Sequence, residues 1–173
     1  MKLRKSLVVS NAGPLIHLAK TNLLRLLKDL YQEVVIPREV KVEAVDRGKE
    51  RGFSDAVQIE DAISQGWIKV EEVKITEEFA STARVAGLRV AEAAVIYYAY
   101  KNKAAALLDE DSARVFARTL GIPIRGSLGI ILEGLKRSII SRTEALIALE
   151  KLSDVMYLSA DLYRVVRRKI EEM

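Results

Sequence analysis

The stretch Ala104-Ala105-Ala106-Leu107-Leu108-Asp109-Glu110-Asp111 constrains the fold more than any other part of the chain. Its small and apolar residues suit a strand buried on both faces, as found inside a parallel sheet. Acids follow at once, and a helix then opens through Ala113 and Val115 to Leu120. In an open parallel sheet, ligands bind in the crevice beyond the carboxyl ends of the strands, near the point where strand order reverses. Carboxylates placed there make a site for a hard cation. The alternative is that Asp109 and Asp111 cap the following helix and favour its positive end.

The rest of the chain supplies the elements such a strand needs. Leu7 to Ser10 and Glu33 to Ile36 read as strands, each followed by a turn and an apolar-periodic helix. Pro14 and Pro37 suit first helical positions, and Asn22 suits the cap of a second helix. Asp46 to Phe53, with Gly48 and Gly52 among charges, reads as a mobile loop. Trp67 to Ile75 alternates apolar with charged residues, the pattern of an edge strand wet on one face. Ser54 and Ser127 suit the N-caps of helices, and Thr76-Glu77-Glu78 opens another. Val90 to Tyr100 is a helix apolar nearly all round, hence buried. Pro123 places the strand Ile122 to Arg125 at an edge. Ser141 and Glu144 form a capping box, and a last helix runs from Ser159. This alternation predicts a three-layer α/β/α sandwich around a central, mainly parallel five-stranded sheet with right-handed crossovers. The expected organisation is one domain over residues 1–140, with helices in 141–173 packed on it.

Composition removes several chemistries. The chain has no cysteine, which excludes thiolate catalysis and cysteine–zinc sites and suits a reducing cytosol. A Ser-His-Asp triad would have to use the single histidine, His17, which is expected to pack on the apolar face of the first helix. No apolar run is long enough for a membrane span, so a cytoplasmic protein is expected. The start from Met1 to Ser6 is basic, but the apolar run after it breaks at Asn11 and reads as a first strand rather than a signal peptide. A formal charge of +4 is compatible with a polyanionic partner. Abundant Lys, Arg and Glu suit a thermophile.

Glu92 is the acid that least fits its surroundings. Its neighbours in Val90-Ala91-Glu92-Ala93-Ala94-Val95-Ile96 are apolar on every helical face. Burying an unpartnered carboxylate costs several kcal/mol even after relaxation. Glu92 is therefore neutral, paired with Arg or Lys, bound to a cation, or set on one narrow exposed stripe. Glu43 is similar, although Lys41 and Asp46 nearby favour a solvated helix face. Asn11 follows the first strand as Asp109 follows the central one. If those strands are neighbours, both side chains enter one crevice; otherwise Asn11 caps the next helix. Three or four oxygen ligands with water would suit Mg²⁺ or Mn²⁺.

With these residues in view, the chain resembles the PIN-domain family of metal-dependent ribonucleases, which includes VapC-type toxins. The resemblance begins at Ser10-Asn11-Ala12-Gly13-Pro14-Leu15-Ile16, which matches a branch with a Ser-[Asp/Asn]-x-x-Pro-Leu-Ile start. It continues through Val35-Ile36-Pro37-Arg38-Glu39-Val40 with Glu43 beyond, then Ala91-Glu92-Ala93 and Leu107-Leu108-Asp109-Glu110 with Ala113-Arg114. It ends with Leu120-Gly121-Ile122 and Gly126-Ser127-Leu128-Gly129, covering roughly Lys5 to Ile140.

The resemblance implies Mg²⁺- or Mn²⁺-dependent hydrolysis of RNA. Asn11 takes the place of the family's first aspartate, Glu43 that of its helix acid, and Glu92 that of the acid on the buried helix. Asp109 and Glu110 fall on the acids after the fourth strand, and Asp111 can substitute for either. The implied metal ligands are thus Asn11, Glu43, Glu92, Asp109, Glu110 and Asp111, with Glu92, Asp109 and Glu110 as catalytic candidates. Ser10 would stand beside the first ligand. Arg114, Arg125, Lys136 and Arg137 are candidates for the RNA backbone. Asn11 is a departure, because an amide oxygen is a weaker ligand and leaves the site one charge less negative. That departure sustains a second reading, a weak or silent domain that binds RNA or protein. A receiver-like or nucleotide-binding module ranks last, since no Gly-rich phosphate loop is present. RNA, an antitoxin protein and a second copy of the chain are the expected partners. The metal reading requires these distant oxygens to meet in one hollow that a divalent ion, not an arginine, fills.

Overall fold

The computed structural model describes residues 7–173, so the basic start from Met1 to Ser6 lies outside the described residues. Five strands form one parallel sheet: β1 (Leu7–Ser10), β2 (Glu33–Pro37), β3 (Ile68–Glu71), β4 (Ala105–Leu107) and β5 (Ile124–Arg125), ordered β3-β2-β1-β4-β5. The central strands carry apolar residues toward both faces, and Val8, Val9, Val34, Val35, Ala106 and Leu107 are all buried. Edge strand β3 instead alternates, with Ile68 buried and Lys69 exposed. The chain builds outward from β1 through β2 to β3, then returns to lay β4 on the other side of β1. Strand order therefore reverses between β1 and β4, and Asn11 and Asp109 leave the sheet on either side of that point.

Helices cover the sheet. α1 (Ala12–Lys20) packs with α5 (Ser54–Ser64), α9 (Ser127–Lys136) and α10 (Arg142–Val155). α7 (Val90–Asn102) lies against β1, β2 and β4 and touches α3 (Arg38–Lys41), α6 (Glu77–Val85) and α8 (Asp111–Thr119). α2 (Leu26–Leu30) joins β1 to β2, and α11 (Ala160–Glu172) packs on α10, which itself rests on α1 and α9. Among the described residues no helix is long and apolar enough to cross a membrane.

Several local expectations hold to the residue. Ser141 Oγ accepts from Glu144 N–H at 3.1 Å while Glu144 Oε2 accepts from Ser141 N–H at 2.7 Å, and Ser159 and Thr76 cap α11 and α6. Others shift. α1 begins at Ala12, so Pro14 falls inside its first turn, and Asn22 adopts φ 59° before a helix that starts only at Leu26. The expected loop at Asp46–Phe53 is mostly helical. A π turn (Val42–Asp46) continues α3 and leads into α4 (Arg47–Glu50). Gly48 permits this, because a Cβ there would stand 2.7 Å from that of Ala56. A glycine read as a flexible joint is a close-packing residue between helices.

Candidate functional site

The acids at the carboxyl rim of the sheet divide into two groups with different partners. The first is a clasp around Asp109. His17 Nδ1 lies 2.7 Å from Asp109 Oδ2, Ser127 Oγ donates to the same oxygen at 2.6 Å, and Ser127 N–H donates to Oδ1 at 2.8 Å. The carboxylate therefore caps the first turn of α9, an end rich in unpaired N–H groups. Arg114 Nη1 donates to Leu108 O at 2.9 Å and closes the clasp from α8. Burial by itself would raise the Asp109 pKa. The hydrogen bonds from His17 and from both Ser127 donors, with the charge of His17, outweigh it and hold the group below its ordinary value. An ionised carboxylate only accepts, so the His17 proton sits on Nδ1.

These three residues do not make a hydrolytic triad. Ser127 Oγ approaches His17 at Nδ1, 3.5 Å away, and gives its proton to Asp109. A nucleophilic serine needs the opposite ring nitrogen as its base. From sequence His17 is expected to pack on the apolar face of α1; it is instead the partner of Asp109, which lies 92 positions away.

The second group surrounds an arginine. Glu92 is 3% exposed on α7, and its Oε2 accepts from Arg89 N–H at 2.9 Å. Its Oε1 accepts from Arg89 Nη2 at 2.9 Å and from Nε at 3.2 Å. Arg89 Nη1 reaches Glu43 Oε1 at 3.5 Å. Glu43 lies in the π turn, an irregularity frequent at functional sites. Lys41 and Asp46 pair with each other at 3.2 Å, leaving Glu43 to Arg89. Glu110, exposed at the start of α8, adds its charge to the field on this guanidinium. The Asp-Glu-Asp run thus separates: Asp109 turns to α1 and α9, Glu110 acts toward Arg89, and Asp111 is exposed in the first turn of α8.

Asn11 stands between the groups. It ends β1, its N–H bonds Leu107 O at 3.0 Å, and its side chain makes no capping bond. Among the described residues, only its Oδ1 and Glu39 Oε2 are buried side-chain oxygens without a partner. A buried acceptor left unpaired costs about 1–3 kcal/mol.

The proposed nucleic-acid residues scatter. Ser10 is fully buried and donates to Asn11 O at 2.9 Å, so it faces no substrate. Arg114 is committed to Leu108. Arg125 is exposed at the end of β5, but its stem passes Gly129 of α9 and its charge acts on Tyr31, just before the amino end of β2, rather than on the acids. Lys136 and Arg137 close α9, whose other end carries Ser127; at 1.5 Å per residue they lie roughly 15 Å from the clasp. Arg137 is also paired with Glu133 at 2.6 Å. Grooves lined by Trp67 and Lys28 border the amino ends of β2 and β3, away from the acids.

Parallel strands, a reversal point and acids at its rim define a PIN-like sandwich, and the family comparison agrees. The family model described as DUF3368: PIN domain matches residues 7–172, and the chain belongs to this family. No curated protein matches it. Among solved structures it is similar to a PilT N-terminus domain protein from the hyperthermophilic archaeon Sulfolobus solfataricus P2. The two share 16% identity with a TM-score of 0.47, over 75% of this chain and 93% of that one.

PIN domains generally use divalent metals. Among the described residues no three Asp, Glu or His side chains are grouped so as to hold one. Asp109 is bonded to Ser127 at the start of α9, and Arg89 pairs with both Glu92 and Glu43. The donor chemistry still suits a hard cation, since Asn11, Glu43, Glu92 and Glu110 offer oxygen alone and Asn11 Oδ1 lacks a partner. Arg89 stands where the expected site needs a divalent ion, and Asp109 is turned to His17 and Ser127, so the single ion-filled hollow expected from the sequence is not what the structure shows.

Proposed function

We propose that this chain is a PIN-type ribonuclease of weakened metal affinity, hydrolysing RNA phosphodiesters with Mg²⁺ or Mn²⁺ held by Asn11, Glu43, Glu92 and Glu110. The observation that carries the reading is the buried, unpartnered Asn11 Oδ1 at the strand-order reversal, on the same edge of the sheet as acids that already gather around a positive charge. When bound, the ion would activate water and offset charge on the reacting phosphate. Glu92, held in place by the Arg89 amide, would orient that water or accept its proton. Asp109 serves as the clasp that positions β4 against α9, not as a ligand.

The test is cleavage of single-stranded RNA with Mn²⁺ or with chelator. Cleavage that needs Mn²⁺ and is lost in Glu92→Gln supports the reading; equal, slow degradation under both conditions removes it. The amide at Asn11 and the commitment of Asp109 favour a second reading, a domain that binds RNA or protein without chemistry. That reading predicts RNA binding without turnover at any Mn²⁺ concentration. A VapC-like toxin role, with an antitoxin partner and pairing of two copies, extends the first reading, and growth arrest on expression tests the toxin role.

A further inference from the structure

We propose that Arg89 is a built-in cation that competes with the divalent ion for Glu43 and Glu92, so that these acids are neutralised by the chain itself until metal displaces the guanidinium. This rests on the metal reading above and adds to it the control of occupancy. Helix starts favour Ser, Thr, Asn or Asp at the N-cap, and a cation there opposes the helix dipole. Arg89 occupies the N-cap of α7 and makes no side-chain cap. Its position therefore disfavours its own helix, and the contacts that offset this are the ones to the acids.

The two ends of the contact differ in solvation. The Glu92 side chain is 4% exposed, whereas that of Arg89 is 60% exposed. An exposed guanidinium on a long stem can swing into water, where an ion pair is worth little. The buried carboxylate cannot be left alone at the same small cost. Departure of Arg89 is thus favoured only when another cation arrives, which makes the two mutually exclusive. The bond from Arg89 N–H to Glu92 Oε2 does not involve the guanidinium and keeps Glu92 oriented during the exchange.

The experiment is calorimetric titration of the whole chain with Mn²⁺, with loss of the free Mn²⁺ paramagnetic resonance signal as a second readout. Wild type, Arg89→Ala and Arg89→Lys are compared. Arg89→Ala should bind Mn²⁺ about tenfold more tightly than wild type. Arg89→Lys, which keeps a charge to pair with Glu92 but loses the planar fork, should fall between them. If Arg89→Ala folds poorly without metal, the Arg89→Lys comparison decides. Equal Mn²⁺ affinity in wild type and variants overturns the competition and leaves the metal reading standing, as does weaker binding in the variants. No Mn²⁺ binding by any of the three overturns both.

Discussion

Asp109 shows how one carboxylate can have a different task from the acid beside it. Its hydrogen bonds come from His17 and from two atoms of Ser127, so replacing it leaves several donors unpaired. Asp109→Asn should lower stability by about 2–3 kcal/mol. Denaturant unfolding would measure this. The pH dependence follows from the depressed pKa. A group titrating lower in the folded chain than in the unfolded one stabilises above its unfolded pKa, and that contribution disappears as pH falls through its folded value. The stability gap between wild type and Asp109→Asn should therefore close on acidification. A gap that stayed constant into strong acid would refute the clasp. That Asp109 is an acid at a strand end was evident from its sequence position. Its partners were not, because they lie 92 and 18 residues away.

At the scale of elements, the rim is built from junctions between a strand end and a helix start. Gly126 precedes α9, and a Cβ on it would stand 2.7 Å from Arg114 Nη1 and 2.8 Å from Asp109 Oδ1. Gly126→Ala should force the clasp apart and cost about 1–3 kcal/mol, the usual range for overpacking. A melting temperature equal to wild type would show that the clasp gives way freely. Ser141→Ala removes one of the two reciprocal bonds at the start of α10 and should cost about 1 kcal/mol. Thermal melting should show it as a fall of about 2–4 °C. The capping box was legible because it is local, with both partners inside one helical turn. The helix over Arg47–Glu50 was not, because Gly48 is chosen for its contact with Ala56 on another helix.

For the whole molecule, the question is which positive charge the rim holds. A ligand that binds only the folded state stabilises it by RT ln(1 + [L]/Kd), about 2.7 kcal/mol at one hundred times Kd. Titration with Mn²⁺ should raise the melting temperature of wild type, with the rise absent in Glu92→Gln. No shift at millimolar Mn²⁺ would count against the metal reading and favour the binding-only alternative. The parallel sheet sets Asn11 after β1, Glu43 beyond β2 and Glu110 after β4 along one edge. Glu92 arrives from α7, which lies across β1, β2 and β4.

Burial and period are written locally, so the chain alone determined its central and edge strands, the helix apolar on all sides, and the oddity of a carboxylate within that helix. Val9 and Ala106 must be apolar because their strands lie inside a sheet covered by helices on both faces, and the apolar run itself shows this. Long-range destinations were decided only in three dimensions, those of Glu43 and Asp109 above all. Arg89 lies three residues from Glu92 and 46 from Glu43, yet it is packing that sets one guanidinium between both. An ionic side chain has no period to betray its partner. Its role depends on which opposite charge folding brings within reach.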